Sequence, residues 1–153
     1  INEFFNIANI THKNKANTHF ICLDGINLSI SEVKSHSPYT IIMFVGFFMY
    51  IDDHDVSDIL KQVLKVSSHN SQIIIREPIG VEKEVVLDNV WSEEMETYYS
   101  AKYRTCDYFK KMFKDILVKE KYELTFDEAL FPSQLNNRKS TRQHLFCLKR
   151  MNK

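Results

Sequence analysis

The chain has 153 residues, 44% of them hydrophobic and 26% charged, with 20 Lys+Arg balancing 20 Asp+Glu. That length supports one domain with its own core and is short for two. The zero formal charge gives no net field toward nucleic acid or an anionic membrane, so a small neutral or mixed-charge partner is expected. Cys22, Cys106 and Cys147 are an odd, widely spaced set. They argue against a disulfide framework and a structural zinc site, and for a reducing, cytoplasmic setting.

In chain order, residues 2–9 with Phe4, Phe5 and Ile7 predict a short helix, and the polar run 12–18 a loop. His19–Leu23 (HFICL) predicts a buried strand ending at the Asp24-Gly25 turn. Ser37-Pro38 marks a boundary, after which Tyr39 to about Val45 predicts a second strand. Its continuous hydrophobicity suits a parallel strand covered on both faces. The whole apolar run 41–51 (IIMFVGFFMYI) is too short for a bilayer, which needs ~20 residues. No signal peptide is visible at the N-terminus.

Asp52 or Asp53 can cap a helix to about Val66, since Val56, Ile59, Leu60, Val63 and Leu64 recur at helical spacing. Residues 67–71 read as a loop and Gln72–Arg76 as a third strand stopped by Pro78. Ser92–Ala101 reads as a helix, and Asp107–Leu117 as another with one apolar stripe. Tyr122–Phe126 and His144–Lys149 are the last strands. The alternation predicts an α/β domain with a mainly parallel sheet flanked by helices.

Three segments carry a resemblance. Phe47-Phe48-Met49-Tyr50-Ile51-Asp52-Asp53, Ile73-Ile74-Ile75-Arg76-Glu77-Pro78 and Tyr103-Arg104-Thr105 occur in the order and spacing of class I S-adenosylmethionine-dependent methyltransferases of the small-molecule type. They resemble, in turn, the exit from the family's strand four, its strand five ending in Arg-Glu, and the entry to the following helix. The likeness runs over nearly the whole chain. It points toward bacterial methyltransferases near surface-polysaccharide enzymes and, more distantly, phosphoethanolamine methyltransferases.

The resemblance implies a Rossmann-like sheet ordered 3-2-1-4-5-7-6, with the cofactor over the carboxyl ends of its strands. This chain would supply strands three to seven, mostly parallel with an antiparallel last strand. Only Gly25, Gly46 and Gly80 occur, far apart, so the family's glycine-rich loop is missing. By the resemblance, that loop and strands one and two would lie upstream of Ile1, making residues 1–153 a single, N-terminally truncated domain.

It also implies S-adenosylmethionine as cofactor, with Asp24 accepting from the adenine amino group and Gly25 and Ile26 flanking the ring. The alternative is that Asp24-Gly25 is simply a turn. Phe44, Val45 and Gly46 match the strand end beneath the cofactor's methionine part, although aromatic side chains there equally suit plain core. Arg76 and Glu77 either orient a polar acceptor or form a solvated pair. Tyr99, Tyr103 and Arg104 would line the acceptor pocket, and Tyr103 would orient a reacting hydroxyl or amine. His54 is the one histidine placed for a general base, or is an exposed helix-start residue.

The implied activity is methyl transfer to a small polar acceptor, a sugar hydroxyl or a phospho-base amine, with no metal, nucleic acid or membrane partner. The alternative is an inactive, truncated module acting in binding or assembly. Its open sheet edge would invite a homodimer or a partner chain.

Overall fold

The computed structural model describes residues 2–12, 15, 20–22, 25, 33, 37–136 and 138–151. The first helix, α1, spans Asn2–His12. Of the strand expected over His19–Leu23, residues 20–22 carry no regular secondary structure, and the flanking pair lies outside the described residues. Asp24 and Ile26 lie outside them as well.

The run at 39–45 is strand β1 (Tyr39–Val45). A 3-10 turn over Phe48–Tyr50 follows, then α2 (Asp53–Lys65). Its five apolar residues at helical spacing, Val56 to Leu64, are all buried, so one stripe faces the sheet while Asp53 and Asp55 favour the N-terminus electrostatically.

Strand β2 runs from Ser67 to Gly80, well past both ends expected for it. Ile73, Ile75, Glu77 and Ile79 are buried on its helix-covered face, at the strand period of two. Pro78 does not stop it. β1 ends opposite Arg76 and the next bridge on that side is Gly80 to Thr105, so Pro78 lies where that side carries no strand partner and a residue without an N–H is tolerated.

Ser92–Ala101 is not a helix. It lies within an antiparallel hairpin, β3 (Val85–Ser92) and β4 (Thr97–Tyr103). Asn89 sits at φ 51° beside a register shift, and Glu96 takes the same φ in the turn. Trp91 and Tyr98 pack edge-to-face across the strands at 5.1 Å. Such cross-strand aromatic pairs override the helix propensity of the Glu-rich stretch.

Helix α3 (Cys106–Glu120) begins at Thr105, whose side chain caps the Tyr108 N–H, and ends with Lys121 in the left-handed region. It buries Phe109, Phe113, Ile116 and Leu117. Strands β5 (Tyr122–Ala129) and β6 (Thr141–Arg150) close the chain, with a 3-10 turn at Ser133–Leu135 between them.

The main sheet has the order β1-β2-β6-β5. β1 runs parallel to β2, while β6 is antiparallel to both β2 and β5. The protein is therefore a mixed α/β fold with helices against a multistranded sheet. Phe109, Phe113 and Phe146 meet at centroid distances of 5.3–5.9 Å between α3 and β6. Removing one such ring costs about 3–5 kcal/mol.

Candidate functional site

The carboxyl ends of the parallel strands β1 and β2 open onto a cavity of about 400 Å³. Ligands bind at that end of open α/β sheets because the chain leaves the sheet in loops there. One wall comes from Val45, Gly46, Met49 and Tyr50. Facing it are Arg76 and Pro78 of β2 and Tyr103 at the end of β4. The rim is closed by Asn136 and Arg138 with Thr141, Arg142 and Gln143 of β6.

Gly46 adopts φ +59°, and a Cβ there would meet nothing within 4 Å. Its backbone is therefore bare where β1 ends, while its N–H holds the Arg76 carbonyl at 2.8 Å. Val45 is exposed beside it. Phe44 is half-buried and stacks with Phe47 and Phe48 at 5.8 and 4.7 Å, which makes its side chain part of the core margin. Gly25 sits against Phe47; an added Cβ would lie 2.5 Å from that ring. A side chain at this position would require the Phe47 ring to move.

Two residues expected to contact an acceptor do something else. Glu77 is buried and accepts the N–H groups of Phe47, Phe48 and Met49 at 2.7, 2.9 and 3.2 Å. Arg104 is buried too and donates to the carbonyls of Phe48 (2.6 Å) and Ile51 and to Asp53 at 2.7 Å. Together they clamp the loop 47–53 from both sides of its peptide groups. Neither side chain is free for a ligand, so both are positioning residues for the cavity wall.

Burial pushes the Glu77 carboxyl up, against the three N–H donors and the Arg104 guanidinium. Asp53 is also opposed by burial, yet hydrogen bonds from Lys102 and Arg104 hold its carboxyl below the usual range. Lys102 links Asp53 at 2.8 Å and Glu84 at 3.4 Å, tying the hairpin to the start of α2.

Tyr103 does reach the cavity, with its hydroxyl 3.4 Å from that of Tyr99. Burial and then Tyr99 push the phenol up to about 12. The two phenols also favour the charged form of Arg138. His54 is not in the cavity wall. It stands on the outer surface of α2, 77% exposed, 3.1 Å from Asp55, because the first turn of the helix points it to solvent.

Sequence reading missed a second cluster. Cys106, Asp127 and His144 come together where α3 meets β5 and β6, with their ligand atoms within 4.8 Å of one another. Asp127 accepts from His144 at 2.7 Å and Cys106 at 3.3 Å, and pairs with Lys110. Burial and then Asp127 push the Cys106 thiol up to about 11, and burial holds His144 below its usual value. A metal would have to displace the thiol proton and the Lys110 pair; in this structure the three side chains and Lys110 form a hydrogen-bonded joint. Separations of 21 and 38 residues hide it from any local pattern.

No protein-family model and no curated protein matches the sequence. Solved structures do match its fold. An S-adenosylmethionine-dependent methyltransferase from Methanosarcina mazei is 13% identical at a TM-score of 0.64, over 100% of this chain and 80% of that one. Another from Clostridium acetobutylicum is 13% identical at 0.65, over 99% and 73%. The 1,6-didemethyltoxoflavin-N1-methyltransferase of Burkholderia thailandensis, solved with 1,6-didemethyltoxoflavin and S-adenosylhomocysteine, is 7% identical at 0.64, over 95% and 56%. Among the described residues, no helix is long and apolar enough to cross a membrane.

Proposed function

Since the chain has the fold of the class I S-adenosylmethionine-dependent methyltransferases, we propose that it serves methyl transfer from S-adenosylmethionine to a small polar acceptor. The observation that carries this reading is the cavity at the carboxyl ends of β1 and β2, bordered by the bare backbone of Gly46. We read β1, β2, β5 and β6 as strands four, five, six and seven of the family, because the order β1-β2-β6-β5 then becomes 4-5-7-6.

The cofactor fits the end of β1. Val45 and Gly46 would hold its methionine part through the backbone, where the missing Cβ leaves open space. Phe44 would support them from the core. Asp24, Gly25 and Ile26 would take the adenine, a role favoured by the approach of Gly25 to Phe47 at this end of the sheet. When bound, the cofactor supplies an electrophilic sulfonium methyl, and the protein supplies orientation.

On the acceptor side, Arg76, Tyr99 and Tyr103 remain candidates to bind it, with Glu77 and Arg104 fixing the wall behind. Tyr103, with its phenol at about 12, donates a hydrogen bond at neutral pH and takes no proton. None of the residues lining the cavity is a carboxylate, histidine or lysine. A hydroxyl acceptor needs such a base to become nucleophilic, whereas an amine in its neutral form attacks without one and sheds its proton to water after the transfer. Of the two acceptor classes, this favours the amine.

The test is transfer of labelled methyl to paired acceptors that differ only in carrying an amine or a hydroxyl. Amine compounds should be methylated, and Tyr103→Phe should lower the rate about tenfold. Transfer confined to hydroxyl compounds would overturn the assignment. A second reading, as an assembly module, draws on β1, which is an edge of the described sheet and exposes Ile41, Met43 and Val45. Such an edge favours pairing with a second copy; sedimentation at two protein concentrations checks for the dimer.

A further inference from the structure

We propose that Arg76, Arg138 and Arg142 form a seat for an oxyanion, so that the acceptor carries a phosphate or carboxylate group. The inference deepens the reading above and rests on it for one point, that the cavity holds the acceptor.

Arg76, Arg138 and Arg142 all line one cavity of about 400 Å³, and no Asp or Glu lines it with them. None of the three joins an ion pair among the described residues. By contrast Arg104, next in sequence to Tyr103 of the same wall, is engaged by Asp53 and two carbonyls. The fold can therefore satisfy an arginine where it needs one for structure. It leaves Arg76 and Arg142 otherwise: the Nε of each is buried without a hydrogen-bond partner among the described residues.

A buried donor without an acceptor is costly, and like charges gathered around a small space repel. Both costs vanish when an oxyanion enters. Its oxygens accept from several planar forks at once, which is the geometry guanidinium groups recognise best. The Tyr99 and Tyr103 phenols favour the charged form of Arg138, so the seat keeps its charge. Asn136, Thr141 and Gln143 add neutral polar groups around it. The small volume and the zero formal charge of the whole chain argue for a small anion over a polyanion.

The seat would also orient. An anionic group fixed at the β2 and β6 side leaves the rest of the acceptor to reach across toward Gly46. Substrate position would then be set by charge at one end and by the reacting atom at the other.

The experiment is an NMR titration of the full chain with inorganic phosphate, with acetate and, in parallel, with S-adenosylhomocysteine. It is repeated on Arg76→Gln, Arg142→Gln and Arg142→Lys, each checked for folding by circular dichroism. Phosphate should bind saturably, and each Gln variant should weaken it about tenfold or more. Arg142→Lys, which keeps the charge and loses the fork, should fall between. S-adenosylhomocysteine affinity should stay within about twofold in every variant. Tighter phosphate than acetate assigns a phosphate ester, and the reverse assigns a carboxylate. A folded chain that binds S-adenosylhomocysteine but no oxyanion overturns the seat and leaves the methyltransferase reading intact. Oxyanion binding without S-adenosylhomocysteine binding overturns that reading and retains the seat. Loss of both ligands together in the arginine variants assigns the seat to the cofactor's carboxylate and overturns the acceptor assignment. Binding of neither ligand overturns both.

Discussion

Glu77→Ala removes the acceptor for three consecutive N–H groups. The Phe48 N–H is fully buried, whereas those of Phe47 and Met49 are partly buried and can recover water. Leaving the buried donor unsatisfied costs about 1–3 kcal/mol, and losing two further charge-assisted bonds adds roughly 1 kcal/mol each. The change also strips a carboxylate from the field of Arg104. The sum is about 3–5 kcal/mol, in the range for breaking one partner of a buried charged set. Glu77→Gln keeps one oxygen, enough for Phe47 and Phe48, but turns an amide donor toward the Met49 N–H; it should cost about 2 kcal/mol. Urea denaturation followed by circular dichroism reads both as lower midpoints at unchanged slope. The loop 47–53 walls the cavity, so ligand affinity should fall along with stability. A loss below about 1 kcal/mol for Glu77→Ala would refute the clamp.

The Cys106 thiol, pushed up to about 11, should hold a thiolate population roughly a hundredfold below that of an ordinary thiol at pH 8. It should react with a disulfide reagent far more slowly than exposed Cys22; Asp127→Asn should speed it, and equal rates at the two cysteines would count against the hydrogen-bonded joint. His144 gives a pH signature. Burial lowers its pKa from 6.5, so the native state binds fewer protons than the unfolded chain just below that value. The stabilising contribution is complete above pH 6.5 and disappears as pH falls through the lowered native value. Urea midpoints should therefore drop between pH 7.5 and 5.5, and His144→Gln should flatten that slope.

What could be read from the sequence was what depends on local periodicity. β1 announces itself as an unbroken apolar run, α2 as five apolar residues on one helical face, and α3 as an aromatic stripe. The hairpin did not, because Glu93, Glu94, Met95 and Glu96 look helical in isolation. The turn at Glu96 and the Trp91–Tyr98 pair exist only once the strands have met. Pro78 misled for a related reason: whether a strand tolerates proline depends on which neighbour is absent, a tertiary fact.

The site divides the same way. Gly46 and Tyr103 were legible as cavity residues. Glu77 and Arg104 were legible as important, but not that both face inward to hold a loop. Their signal was burial, since Glu77 shares the strand face of Ile75 and Ile79. His54 lacked any such signal. Arg76 of β2 meets Arg138 and Arg142, from the segment that leads into and opens β6, at one cavity, a meeting that no spacing in the sequence reveals.

Calorimetric titration of the 153-residue chain with S-adenosylhomocysteine, beside Gly46→Leu, tests the central claim most directly. Saturable binding to the native chain, weakened tenfold or more when a side chain fills the opening at Gly46, is the predicted result. No heat of binding to a folded chain, or equal binding by both proteins, would contradict a cofactor site at the end of β1.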